Sequence, residues 1–154
     1  DAGYYAIDSL RIEKGFRAWG HELTPDTTPF QAGLSFAVDL DKPFPFIGRD
    51  ALLAAKGQPL TKRVLHFTLG DSEPILWGGE LILLDGNPVG KIDSGSYGHT
   101  LGASVGLGYI RHDAGVDTAL IEAGGFEIDV AGERHIATAR LRTPYDPKAE
   151  RVKV

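Results

Sequence analysis

The sequence predicts an α+β chain that is mostly β: a short helical N-terminal part followed by a small antiparallel barrel or sandwich. Beyond Pro59 the chain breaks into short runs that alternate apolar with polar residues, most of them separated by turn residues. Before Pro59 the apolar residues follow a mixed, partly helical spacing around segments that stop at glycine. The chain has 154 residues with 20 Gly and 9 Pro, 24% charged and 42% hydrophobic, which suits one globular domain or slightly more.

In the first segment, Ala2 to Glu13, the residues Tyr5, Ile7, Leu10 and Ile12 suggest the buried face of a short helix that Gly15 closes. Thr24 to Pro29 is turn-rich, and Leu34 to Leu40 alternates in the manner of a strand. The Ala/Leu-rich stretch from Gly48 to Lys56, stopped by Gly57, predicts a helix of about two turns. Arg63 to Leu69 then alternates over seven positions, with Val64, His66 and Thr68 on one side and Leu65, Phe67 and Leu69 on the other. Glu80–Leu84 and Pro88–Asp93 flank Asp85-Gly86-Asn87, a tight hairpin turn. Further strands are expected at Ala103–Ile110, Phe126–Val130 and Ile136–Leu141, with Ala131-Gly132-Glu133 turning the last pair. Five or six short strands without a long helix suggest a barrel or sandwich over residues 60–142.

Composition excludes several classes of function. No apolar run approaches the roughly 20 residues of a membrane span. The net charge of −5 comes from 21 acidic and 16 basic residues that are scattered, without the Lys/Arg clusters that nucleic acid or anionic membranes require. With no Cys there is neither a disulfide nor thiolate chemistry. The absence of Met, with a start at Asp1-Ala-Gly-Tyr4 and no visible signal peptide, leads us to expect a processed chain or a piece of a larger protein.

Most catalytic signatures are missing. There is no phosphate loop, and Gly102, Gly106 and Gly108 are wrongly spaced for a dinucleotide fingerprint, so no flavin or nicotinamide site is expected within the chain. The five His residues show no spacing that aims two imidazoles at one metal, and His66 reads as a partly buried strand residue. Ser94, Ser96 and His99 lack both a nucleophile elbow and a third member, so they read as a Gly-rich turn between strands. Glu13 stands out instead, within a run from Arg11 to Gly20 that sets alternating charges beside aromatics. A carboxylate accepts two parallel hydrogen bonds and so suits the amino-amidine edge of a guanine or pterin. The plainer alternative is an ion pair with Arg11, Lys14 or Arg17.

At these residues a family resemblance emerges. Asp8-Ser-Leu-Arg-Ile-Glu-Lys-Gly15, Trp19-Gly-His-Glu-Leu23, Thr28-Pro-Phe-Gln-Ala-Gly-Leu34 and Phe46-Ile-Gly-Arg-Asp-Ala-Leu52 resemble the folate-binding aminomethyltransferase family. That family includes the glycine cleavage T-protein and the C-terminal halves of dimethylglycine and sarcosine dehydrogenases. Val89 to Gly95, Thr100-Leu-Gly102 and Gly108-Tyr-Ile110 are similar to its C-terminal barrel, although Asp93 and His99 stand where Thr and Pro are usual. The ending Pro144-Tyr-Asp-Pro147 with Arg151 is closer to the dehydrogenase branch.

The resemblance implies a remnant of the folate-binding domain at residues 1–58 and a complete antiparallel β-barrel at residues 59–154. It implies tetrahydrofolate as cofactor, with Glu13 of the Arg-x-Glu-x-Gly motif on the pterin, Lys42 where an arginine is common, and Tyr145 and Arg151 on the returning tail. Tyr5 is an additional candidate for an aromatic wall, with core packing as the alternative. The family's catalytic aspartate would lie upstream, as would an FAD domain if the parent has one, so the fragment alone is expected to be inactive. The implied parent oxidises a small N-methyl amine and captures the one-carbon unit as 5,10-methylenetetrahydrofolate, with upstream domains of the same protein as partners. The alternatives are a glycine cleavage T-protein or a non-catalytic folate-binding or interaction module. The expected location is cytoplasmic in a bacterium, or otherwise the mitochondrial matrix.

Overall fold

The computed structural model describes residues 2–71 and 73–153. A helix α1 (Tyr4–Lys14), a 3-10 turn (Ser35–Ala37) and a helix α2 (Arg49–Ala55) precede the strands β1 (Lys62–Leu69), β2 (Leu81–Leu84), β3 (Asn87–Gly98) and β4 (Ala103–Arg111). A helix α3 (Thr118–Ala123) follows, then β5 (Phe126–Val130) and β6 (Glu133–Arg140). The six strands close a barrel in the order β1-β4-β3-β2-β5-β6, every neighbour antiparallel. The β domain expected over residues 60–142 is present, and its one helix, α3, has six residues. The sequence reading missed α3; Asp117 caps it by accepting from the Leu120 N–H at 2.8 Å.

The hairpin turns follow local chemistry. Asp85 and Gly86 take φ of 50° and 79°, and Ala131 and Gly132 take 54° and 91°, the paired positive values of the two-residue turn that matches strand twist. Alternation along β1 directs Leu65, Phe67 and Leu69 into the barrel, where Phe67 meets Phe126 edge to face at 5.9 Å between centroids. The opposite face, Val64, His66 and Thr68, lies against the N-terminal part: Val64 N–H donates to Gln31 O, and His66 is fully buried. A second small core there joins Ile12 of α1 to Val105 and Leu107 of β4.

Three expectations need correction. Leu34 to Leu40 is not a strand. Its backbone bonds are local, Leu34 N–H to Pro29 O and Ala37 N–H to Leu34 O, because the barrel is closed and β1 is already paired on both edges, with β4 and β6. On α1 only Ile12 of the expected apolar face is buried, together with Ser9 and Glu13. Ile7 and Leu10 are exposed, and Tyr5 is 80% exposed, which overturns the core-packing alternative for that residue. The 3.6-residue period turns Ile7 and Leu10 away from the barrel once Ile12 faces it, whereas Tyr5, two turns before Ile12 on the same face, is exposed in the first turn of the helix. Finally, β3 runs through Ser94 and Ser96 to Gly98, so the Gly-rich turn is shorter than expected and lies between Gly98 and Ala103.

Candidate functional site

Glu13 closes α1 on the barrel side. It is 1% exposed, and its Oε1 accepts two backbone N–H groups of the β3–β4 turn, Thr100 at 2.7 Å and Leu101 at 2.8 Å. Oε2 makes no hydrogen bond among the described residues. The ion-pair alternative does not hold, because each nearby cation is engaged elsewhere. Arg11 binds Asp8 at 2.6 Å, Glu22 at 3.0 Å and the Ser94 hydroxyl at 2.7 Å, tying α1 to the following loop and to β3. Arg17 donates to the Gly15 carbonyl at 2.7 Å, and Lys14 pairs with Asp146 at 2.8 Å. Ser94 is thus held by Arg11, and His99 stacks edge-on to Tyr97 at 5.2 Å, so the two do not form a nucleophilic pair.

Gly15 ends the helix in the left-handed conformation, φ 75°, and its amide returns to the Ile12 carbonyl. This stop brings the C-terminal tail against the helix end. Thr143 Oγ1 donates to the Glu13 carbonyl at 2.5 Å, and Lys14 Nζ reaches both the Asp146 carbonyl at 2.6 Å and its carboxylate. The Lys14 ammonium holds the Asp146 carboxyl below its ordinary range. The ring of Tyr145 lies beside Lys14 at 5.7 Å and Arg151 at 5.4 Å. Leu101, whose N–H holds Glu13, lines a cleft of about 520 Å³ together with Tyr145 and Arg151. A second cleft, of about 650 Å³ and lined by Lys14, Phe16, Arg17 and Phe36, shares Asp146 and Pro147 with the first.

Three of the residues expected from sequence, Glu13, Tyr145 and Arg151, therefore converge at one end of α1. Lys42 and Tyr5 do not join them. Lys42 sits in an exposed loop with its ammonium 4.6 Å from the Phe46 ring, and neither residue lines the two clefts. The sequence reading missed Thr143 and Asp146. The available signal was a turn-forming Asp between Tyr145 and Pro147, a residue type that binds nearby backbone N–H groups. Glu13 itself is buried and lines neither cleft, with Leu101 between its carboxylate and the smaller one, so what that cleft presents is an aromatic face and a guanidinium, groups suited to a planar molecule with an anionic end.

The Glycine cleavage T-protein C-terminal barrel domain matches residues 62–146, and the GCVT N-terminal domain matches residues 1–42. The chain belongs to the glycine cleavage T-protein family. It is 42% identical over 152 residues to the 4-methylaminobutanoate oxidase (formaldehyde-forming) of Paenarthrobacter nicotinovorans, covering 99% of this chain and 18% of that protein. It is 38% identical over 155 residues to the mitochondrial sarcosine dehydrogenase of Homo sapiens, covering 99% of this chain and 17% of that protein. The crystal structure of glycine cleavage system aminomethyltransferase T from Bartonella henselae aligns with a TM-score of 0.73 at 26% identity, covering 88% of this chain and 37% of that one. The chain thus spans less than a fifth of the two oxidising relatives and a little over a third of the aminomethyltransferase. Among the described residues no helix is long and apolar enough to cross a membrane.

Proposed function

We propose that this member of the T-protein family is the C-terminal part of a tetrahydrofolate-dependent one-carbon transfer protein of the dimethylglycine and sarcosine dehydrogenase type. Residues 1–58 complete a folate-binding domain and residues 59–154 form the barrel that buttresses it. The observation that carries the reading is the half-engaged carboxylate of Glu13. Two backbone N–H groups fix one oxygen, and the other has no partner among the described residues. A pterin amide edge supplies N–H donors of the kind that oxygen lacks.

When bound, tetrahydrofolate would supply the nucleophilic nitrogens that accept a one-carbon unit. Glu13 orients the pterin, Tyr145 covers a flat face and Arg151 answers an anionic end. Lys42 and Tyr5 are retained as candidate contacts on the side of the site that an upstream part of the parent protein would complete. The catalytic aspartate and any FAD belong to that upstream part, where a small N-methyl amine is oxidised to the iminium that donates the carbon. Relatives named 4-methylaminobutanoate oxidase (formaldehyde-forming) and sarcosine dehydrogenase favour this branch. The likeness to an aminomethyltransferase keeps a T-protein reading, without flavin, as the alternative. Both of these are enzymes, in a bacterial cytoplasm or a mitochondrial matrix.

The test is isothermal titration of the full-length polypeptide with tetrahydrofolate. Glu13→Gln exchanges an acceptor for a donor at one end of the carboxylate, so affinity should fall about tenfold or more while amine oxidation persists and formaldehyde is released. Unchanged affinity would remove Glu13 from the pterin site.

A further inference from the structure

Asp146 borders both clefts, and it is joined to each element that carries a group assigned to the ligand. Its Oδ2 and its carbonyl oxygen both accept from Lys14 Nζ, at 2.8 and 2.6 Å, next to Glu13 in the chain. Its Oδ1 accepts the Glu150 N–H at 2.8 Å and its Oδ2 the Arg151 N–H at 3.4 Å, the first residues of a 3-10 turn over Glu150–Val152. Tyr145 immediately precedes it, and the Tyr145 N–H bonds to Thr143 Oγ1, which itself donates to the Glu13 carbonyl. We propose that Asp146 is the positioning residue of this site, a clasp that fixes Tyr145 and Arg151 relative to Glu13. The proposal rests on the folate reading above and adds to it the residue that sets the geometry.

An exposed Lys–Asp pair holds little in place. This pair is different, with only 13% of the Lys14 side chain and 8% of the Asp146 side chain exposed. The backbone supports the assignment. Asp146 adopts φ 43°, a left-handed conformation that Asp enters more readily than most non-glycine residues. With the chain turned this way, its carbonyl and carboxylate both converge on one ammonium group. Without the Asp146 carboxylate the tail keeps, among the described residues, Thr143 on the Glu13 carbonyl and Lys14 on the residue 146 carbonyl, but the bonds that hold Glu150 and Arg151 are lost, and with them the fixed distance of the guanidinium from Glu13.

The experiment compares the full-length polypeptide with its Asp146→Ala and Asp146→Asn variants in two measurements: titration with tetrahydrofolate, and hydrogen exchange of residues 143–151. Asp146→Ala should weaken tetrahydrofolate binding about tenfold and remove protection at the Glu150 and Arg151 amides. The far-UV circular dichroism and the unfolding midpoint of the variant should stay close to those of the unmodified protein, which general unfolding would not spare. Asp146→Asn retains an acceptor for Glu150 and should fall between the two, so it decides the matter if the alanine variant fails to fold. Lost protection with unchanged affinity in a binding-competent protein would overturn the proposal and leave the folate site intact. Absence of tetrahydrofolate binding by the unmodified protein would overturn the folate reading, and the positioning role with it.

Discussion

Gly98 and Glu13 approach so closely that a methyl group on the glycine would stand 3.0 Å from the Glu13 Oε1, and 3.1 Å from Val105 as well. A side chain on the last residue of β3 would therefore have to push the Glu13 carboxylate and Val105 back by a few tenths of an ångström. Gly98→Ala should destabilise the chain by about 1–3 kcal/mol, the usual cost of overpacking. Urea unfolding monitored by Trp fluorescence reads this directly, and a midpoint equal to that of the unmodified chain would refute the contact.

His66 makes the interface between the N-terminal part and the barrel sensitive to acid. Burial lowers its pKa from 6.5 to about 4, helped by the positive charges of Arg140 and Arg17, and neither ring nitrogen has a hydrogen-bond partner among the described residues. Above about pH 6.5 the imidazole is neutral in both folded and unfolded chains, and its contribution is complete. As pH falls from there toward 4 only the unfolded chain takes up the proton, so stability drops, by up to about 3 kcal/mol for this group. His66→Gln should flatten the dependence of Tm on pH between about 6.5 and 5, a window mostly above the titration of ordinary carboxylates. Parallel profiles for the two proteins would show that another group is responsible.

The isolated 154-residue chain should bind no flavin and turn over neither sarcosine nor dimethylglycine, since it corresponds to less than a fifth of the sarcosine dehydrogenase it resembles. Visible absorption of the purified chain and an oxygen-consumption assay check this. A yellow protein with a flavin spectrum would contradict it.

Much of the barrel was legible because its signals are local. Alternation from Arg63 to Leu69 defined an inner face, and glycines at 86 and 132 set the two-residue turns. Gly15 marked the end of α1, and the alternating charges beside aromatics from Arg11 to Gly20 singled out the Glu13 carboxylate. The tertiary structure decided the rest. Leu34 to Leu40 has the alternation of a strand and is none, because a closed barrel offers it no free edge. Tyr5, Ile7 and Leu10 look like a buried face, yet only Ile12 meets the barrel. Glu13 draws its donors from residues 87 and 88 positions away, and Lys14 its partner from 132 positions away. Alternation and turn residues report on a few neighbours along the chain. Which carboxylate meets which amide across such distances depends on how the barrel closes, because closure brings the β3–β4 turn and the tail to the same end of α1.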